Sequence, residues 1–294
     1  MFEKVLFPTD FSSYANRISE YIQSMPVREV VLLHVVDTKK IAYEEETRDT
    51  ASGKAEIQLQ EREEFLRSKL GVKVRSEVRV GIPSHEIIKV AGEEKVSLIV
   101  MGARGKSMVE GVLMGSVTSD VLKYGNSSVL IIKHGQESWE ISRHHEHIFS
   151  RVIIPVDFSK ESISIISAVK MIKGLQGIEL VHVVSKAETR EELDLLVSEA
   201  RRELNEIVKE VKKDVNVEVN IHVHVGDPVD EIDKAAEESD VSLIAMGIIG
   251  KDRERLAGHG KLRSIFEEKF LGVGTVTERV ARRSKRPVLV LKNF

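Results

Sequence analysis

The sequence predicts an α/β fold written twice: two tandem, doubly wound domains of Rossmann-like type, each built on a five-stranded parallel sheet. Three observations carry this. Short β-branched runs alternate with longer amphipathic stretches, the order that gives a parallel sheet with helices on both faces. Blocks of the first half return in the second half in the same order. A length of 294 residues accommodates two ordinary domains, each able to bury most of the surface its unfolded chain exposes.

The repeat is collinear. "VLFPTDFS" from Val5 returns as "VIIPVDFS" from Val152, "LLHVVD" from Leu32 as "LVHVVS" from Leu180, and "VRVGIPSHEI" from Val78 as "VHVGDPVDEI" from Val223. "VSLIVMGARGK" from Val96 matches "VSLIAMGIIGK" from Val241, and "GSVTSDVLKYGNSSVLIIK" from Gly115 matches "GTVTERVARRSKRPVLVLK" from Gly274. A unit of roughly 140 residues is a duplicated domain, since solenoid repeats run to about 20–50 residues. The expected divisions are residues 1–134, a polar linker over 135–150 that has no counterpart in the repeat, and 151–294.

In the first half the strands are expected near Lys4 to Phe7, Val30 to Val35, Lys73 to Val80, Leu98 to Met101 and Val129 to Ile132. Helices fill the gaps. Ser12 or Ser13 can cap the first, Glu56 to Lys69 carries helical spacing, and Pro83 stands where a helix start tolerates proline.

Composition narrows the function classes. Hydrophobic residues make up 41% and charged residues 31%, as in a soluble globular chain. No apolar run reaches the length of a bilayer span. "MFEKVLFPTDF" lacks the basic start, apolar core and cleavage site of a signal peptide, so the expectation is a cytoplasmic protein with no membrane partner. Zero cysteines exclude disulfides, thiolate metal sites and a cysteine nucleophile. A net charge of -3 gives no reason to expect a nucleic-acid surface.

In an open parallel sheet, ligands bind beyond the carboxyl ends of the strands, where strand order reverses. The first strand ends in Pro8, Thr9 and Asp10; the fourth ends at Gly102, with Gly105 close behind. Glycines at a strand-to-helix turn let backbone N–H groups approach an anion, and a helix N-terminus adds a favourable dipole. Gly115, Ser116 and Thr118 would supply N–H and hydroxyl donors there. Asp10 would repel a phosphate and so suits a ribose or a base. "GARGKS" is not a P-loop, because the required first glycine falls at Val100, and the glycine-free "PTDFSSYA" is not a dinucleotide fingerprint.

Gly102-x2-Gly105-x9-Gly115-Ser116, combined with Pro8-Thr9-Asp10 and "LLHVVD", resembles the ATP-binding class of the universal stress protein (UspA-like) family over nearly the whole chain. The resemblance implies ATP, or AMP or ADP, in the crevice between strands one and four, with Mg or Mn held through the phosphates. It places Asp10 on the adenosine and the Val35 backbone on the adenine edge. Gly102, Arg104, Gly105, Gly115, Ser116 and Val117 would surround ribose and phosphates.

In the second half Asp157, Val183, Gly247, Gly250, Gly274 and Thr275 take the equivalent places, but 23 residues separate Gly250 from Gly274 where nine separate Gly105 from Gly115. The insertion near 251–273 reads as a neutral surface loop by default, since loops tolerate length well, with a lid over bound nucleotide or a plug that abolishes binding as the competing readings. Ile248 and Ile249 replace Ala103 and Arg104, removing a cation.

Other features have plainer readings. "HHEH" at His144 to His147 is a solvated turn, and His222 and His224 are ordinary strand residues. His34 and His182 recur at matching places and are expected to be structural. No Ser/His/Asp or Cys/His arrangement and no water-activating carboxylate stands out. The expected function is nucleotide-dependent regulation or stress response through an unidentified protein partner. The alternatives are a slow ATPase or phosphotransfer enzyme and a structural dimer that binds no nucleotide. The apolar last strands "SSVLIIK" and "RPVLVLK" need cover. An intramolecular pairing of the two domains, with further homo-oligomerisation open, is expected to supply it.

Overall fold

The computed structural model of the chain describes residues 2–12, 15, 18, 21–23, 25–39, 47–104, 114–133, 147–248 and 275–292. The chain divides into two compact units, Met1–His134 and Gly135–Lys292, each considered by itself.

In the first unit the strands are β1 (Lys4–Pro8), β2 (Glu29–Asp37), β3 (Lys73–Gly81), β4 (Leu98–Gly102) and β5 (Ser128–Ile132). They lie in the order β3-β2-β1-β4-β5, every neighbouring pair parallel. The central strands are buried on both faces, which is why they read as unbroken apolar runs: Val5, Leu6, Phe7, Leu98, Ile99 and Val100 are all fully buried.

Helices cover the sheet. Ala15, Ile18 and Ile22 put helical spacing on buried positions after β1. Helix α1 (Arg48–Leu70) starts at Thr47, whose hydroxyl accepts from the Thr50 N–H, and ends at Gly71 with φ +66°, the left-handed cap that glycine adopts without strain. Its buried stripe is Ala55, Leu59 and Leu66. Helix α2 (Pro83–Glu93) opens on Pro83, as expected, and α3 (Ser116–Tyr124) precedes β5.

The second unit repeats this with β6 (Arg151–Pro155), α4 (Lys160–Val169), β7 (Gly177–Val184), α5 (Arg190–Asp214), β8 (Glu218–Val225), α6 (Pro228–Glu238), β9 (Leu243–Gly247), α7 (Thr275–Arg283) and β10 (Val288–Leu291). Its order is β8-β7-β6-β9-β10, again all parallel. The end of the expected linker is packed. Ile148 and Phe149 are buried, and His147 stands so close to Gly174 (φ +81°) that a Cβ there would lie 2.2 Å from its Nε2.

Candidate functional site

Strand β1 pairs with β4 through Val5 with Leu98 and Leu6 with Ile99; β2 lies on its other side, and β5 lies beyond β4. Chain order therefore reverses between β1 and β4. The carboxyl ends of these two strands frame the crevice where such sheets bind ligands.

The β1 exit is a constrained turn. The Thr9 N–H donates to the Leu33 carbonyl at 2.8 Å, extending the β1–β2 ladder by one bond. His34 Nδ1 lies 2.8 Å from the Thr9 carbonyl oxygen, and its ring stacks on Phe11 with centroids 4.2 Å apart. Phe11 takes φ +59°, a left-handed conformation that costs a non-glycine residue about 1–3 kcal/mol. Around it, the Phe11 N–H donates to Thr9 Oγ1 and the Ser12 N–H to Asp10 Oδ1. Ser12 accepts from the Ala15 N–H at 3.2 Å, so it caps the following helix as expected.

The β4 exit is tied down in the same way. The Ala103 N–H donates to the Ile132 carbonyl, and the Gly115 N–H to the Ala103 carbonyl, both at 2.8 Å. The Thr118 hydroxyl, buried, donates to the Gly102 carbonyl at 2.8 Å. That proton joins α3 to β4, so Thr118 shapes the turn and does not offer the hydroxyl donor expected of it. Gly115 is the N-cap of α3, with no side chain capping the helix and no acidic residue in its first turn. Its φ of −72° is open to any residue, and a Cβ would stand 3.7 Å from the Ala103 oxygen and 3.8 Å from the Arg104 Cα, ordinary contact distances. Neither the turn nor the packing requires glycine here. Among the described residues nothing closes the approach to the first-turn N–H groups, which have no partner inside a helix.

Pro8, Thr9 and Asp10 thus sit at one lip of the crevice, and Gly102, Arg104, Gly115, Ser116, Val117 and Thr118 at the other. Val35 lies near the carboxyl end of β2, opposite Arg79 of β3. Gly105 lies outside the described residues, as do Gly250, Gly274 and the insertion.

The second unit copies the first lip closely. The Val156 N–H donates to the Val181 carbonyl at 2.8 Å, and His182 Nδ1 lies 2.7 Å from the Val156 oxygen. Phe158 again has φ +59° and lies 4.6 Å from the His182 ring. Asp157 accepts from the Ser159 N–H, and Ser159 caps α4. Val183 pairs with His224 near the end of β7. Thr277 donates to the Gly247 carbonyl at 2.8 Å, repeating the Thr118 bond. Thr275 opens α7.

The other lip differs. Glu278 stands in the first turn of α7, where the first unit has Ser119, and pairs with Arg282 at 3.2 Å. Ion pairs join α6 to α7: Arg279 with Asp227, and Arg283 with Asp230. The hydrogen bond from Arg279 holds the Asp227 carboxyl below the usual carboxylate range. The matching first-unit positions are Asp120 with Ile82 and Tyr124 with His85, and Ile82 and Tyr124 are exposed. Sequence reading passed over Glu278 and the two left-handed phenylalanines. The repeated Phe in "PTDFS" and "PVDFS" was the available signal for the latter.

His222 and His224 each face a carboxylate: His222 Nε2 is 2.9 Å from Glu179 Oε2, and His224 Nδ1 is 2.8 Å from Glu231 Oε2. Glu179 is buried and also receives Arg151 at 2.9 Å and Asn220 at 3.2 Å, so this is a satisfied charge cluster. In the first unit the two histidine positions hold Glu77 and Arg79, which pair with each other. Nδ1 of His147 accepts from the Phe149 N–H. Among the described residues no group of three or more His, Asp or Glu side chains could hold a metal ion, and no helix is long and apolar enough to cross a membrane.

Comparison with known proteins agrees with the geometry. A profile of the universal stress protein family matches residues 1–133 and again 149–292. A universal stress protein of Methanocaldococcus jannaschii, MJ0577, is 32% identical over 156 residues, covering 45% of this chain and 96% of its own length. One from Methanothermobacter thermautotrophicus is 32% identical over 143 residues, covering 45% of this chain and 97% of its own. These relatives have the length of one unit. The crystal structure of a universal stress protein from Archaeoglobus fulgidus spans both, with a TM-score of 0.69, 27% identity and 98% of each chain covered.

Proposed function

The chain belongs to the universal stress protein family, and we propose that its first unit binds an adenine nucleotide, ATP with Mg or Mn on its phosphates, as a regulatory signal. The observation that carries this reading is the uncapped, acid-free N-terminus of α3, fronted by a glycine that its conformation and surroundings do not require. Phosphate at such a terminus meets N–H donors and the positive end of the helix dipole together. Across the crevice Asp10 supplies a carboxylate for the nucleoside hydroxyls or base. The Val35 backbone, near the carboxyl end of its strand, would read the adenine edge, and Arg104, two residues after Gly102, would bring a cation to the phosphates. A metal would arrive with the nucleotide and take its ligands from the phosphates and water.

Occupancy of the crevice would alter the surface offered to a protein partner, which makes the mechanism one of binding. Slow hydrolysis is the second reading, since a cradle that orients phosphate and metal lowers a barrier without a dedicated base. The sequence also favours pairing of the two apolar last strands within one chain. A monomer of 33.0 kDa in solution would accord with that pairing, and a dimer through those strands would oppose it.

The test is the identity and stoichiometry of nucleotide released on denaturing freshly purified chain, followed by titration of stripped chain with ATP and Mg. One ATP per chain, lost in Gly115→Val, supports the reading; two per chain extend it to the second unit. No nucleotide in either measurement overturns it. Multiple turnover abolished by Asp10→Ala would move the reading to an enzyme.

A further inference from the structure

The two histidines that follow the apolar half of the second strand, His34 and His182, make the same pair of contacts in both units. Each ring presents Nδ1 to a backbone carbonyl, at 2.8 Å to Thr9 and 2.7 Å to Val156. Each lies against the phenylalanine two residues further on, Phe11 and Phe158, and both phenylalanines hold φ +59°. Between the bonded carbonyl and the left-handed phenylalanine stands one residue, an aspartate: Asp10 or Asp157.

A carbonyl oxygen carries no proton, so the short Nδ1 contact makes Nδ1 the donor and fixes where the ring's proton resides. The bond fixes the peptide before the aspartate. The ring face covers the phenylalanine after it, whose left-handed conformation would relax without support. Both ends of the aspartate's local backbone are therefore held by one side chain on the neighbouring strand, 24 residues further along the chain for Asp10. We infer that His34 is a positioning residue for the first-unit site, holding the Thr9–Phe11 turn so that Asp10 meets the crevice in one orientation. The inference rests on the nucleotide reading of that site. It adds a residue that acts through another, and it names which atoms do so.

The test combines binding and spectroscopy on the full chain. His34→Phe keeps an aromatic ring on Phe11 and removes the donor. His34→Asn returns an amide donor close to where Nδ1 stood and removes the ring. Isothermal titration of stripped chain with ATP and Mg is expected to show affinity about tenfold weaker in His34→Phe, as befits a turn that holds the binding orientation only about a tenth of the time, and largely restored in His34→Asn. In an Asp10→Ala background His34→Phe should cost no further affinity, because the residue through which it acts is gone; a general loosening of the fold would cost the same in both backgrounds. Long-range proton–nitrogen correlation on histidine-labelled chain should find Nδ1 of His34 protonated at neutral pH. Three results would overturn the inference: a bare Nδ1, equal affinities in wild type and His34→Phe, or an equal loss with and without Asp10. A wild-type chain that takes up no ATP fails before any variant is compared. It refutes the site reading itself, and the inference falls with it.

Discussion

The two units differ least at the β1 and β6 exits and most at the helix that follows β4 or β9. Around Asp10 and Asp157 the histidine bond, the left-handed phenylalanine and the serine cap recur to within 0.1 Å in the two histidine–carbonyl distances. Around α3 and α7 an acid-free first turn faces one that carries Glu278. The pairs Arg279 with Asp227 and Arg283 with Asp230 stand where the first unit has Asp120 with Ile82 and Tyr124 with His85. The duplicated chain has kept the frame of both crevices, while the chemistry at the helix-side lip differs between them.

The largest effect expected from probing this contrast lies at the end of the last strand. Lys292 is 6% exposed, and burial lowers its ammonium from 10.5 to about 8. Between those values the unfolded chain binds more protons than the folded one, so stability rises as pH increases from about 8 to 10.5. The total rise is up to about 3 kcal/mol. Lys292→Met should abolish that slope in chemical denaturation across this window and stabilise the chain at neutral pH. The same substitution at Lys133, also buried, asks whether the two units share this burden.

Next come the matched threonines. Thr118→Val and Thr277→Val each strand a strand-end carbonyl and should cost about 2 kcal/mol in denaturant midpoints. Equal losses would confirm that the frame is shared; a loss in one alone would break the comparison.

Exchanging the lip residues is a smaller perturbation with a more specific readout. Ser119→Glu should weaken ATP binding by about tenfold, near the upper end of helix-terminus charge effects, while leaving the melting temperature almost unchanged. Glu278→Ser should strengthen any binding by the second unit, read by titration of a chain in which Gly115→Val has removed the first site. Smallest is Arg279→Ala. Its ion pair with Asp227 is half exposed, so the expected loss of stability is the smallest of the set and should vanish in high salt.

Much of this architecture was legible in the chain. The strands of the first unit begin and end within two residues of their expected places, because doubly buried strands announce themselves as apolar runs. Pro83 and Ser12 start helices as their chemistry predicts. Helical spacing in the sequence is clear only from Glu56, inside a charge-rich stretch from Thr38 to Arg67 that reads as a solvated helix and its approach; the helix begins at Arg48, and its first turns bury nothing before Ala55 and so carry no apolar period. The site was legible as a set of glycines and an aspartate. Their division of labour was not: whether Thr118 points its proton at a ligand or at Gly102 depends on two elements meeting 16 residues apart. The carboxylate partner of His222 was equally invisible, Glu179 being 43 residues away on another strand.

The bond from each histidine goes to a main-chain oxygen, and this bears on how the motif can wander. The residue carrying that oxygen is threonine in "PTDFS" and valine in "PVDFS", yet the bond survives the change. The histidine bond is blind to that side chain, and what the threonine adds is acceptance of the Phe11 N–H, which valine cannot offer. A signature for relatives that insisted on its middle letter would recognise one half of this chain and miss the other.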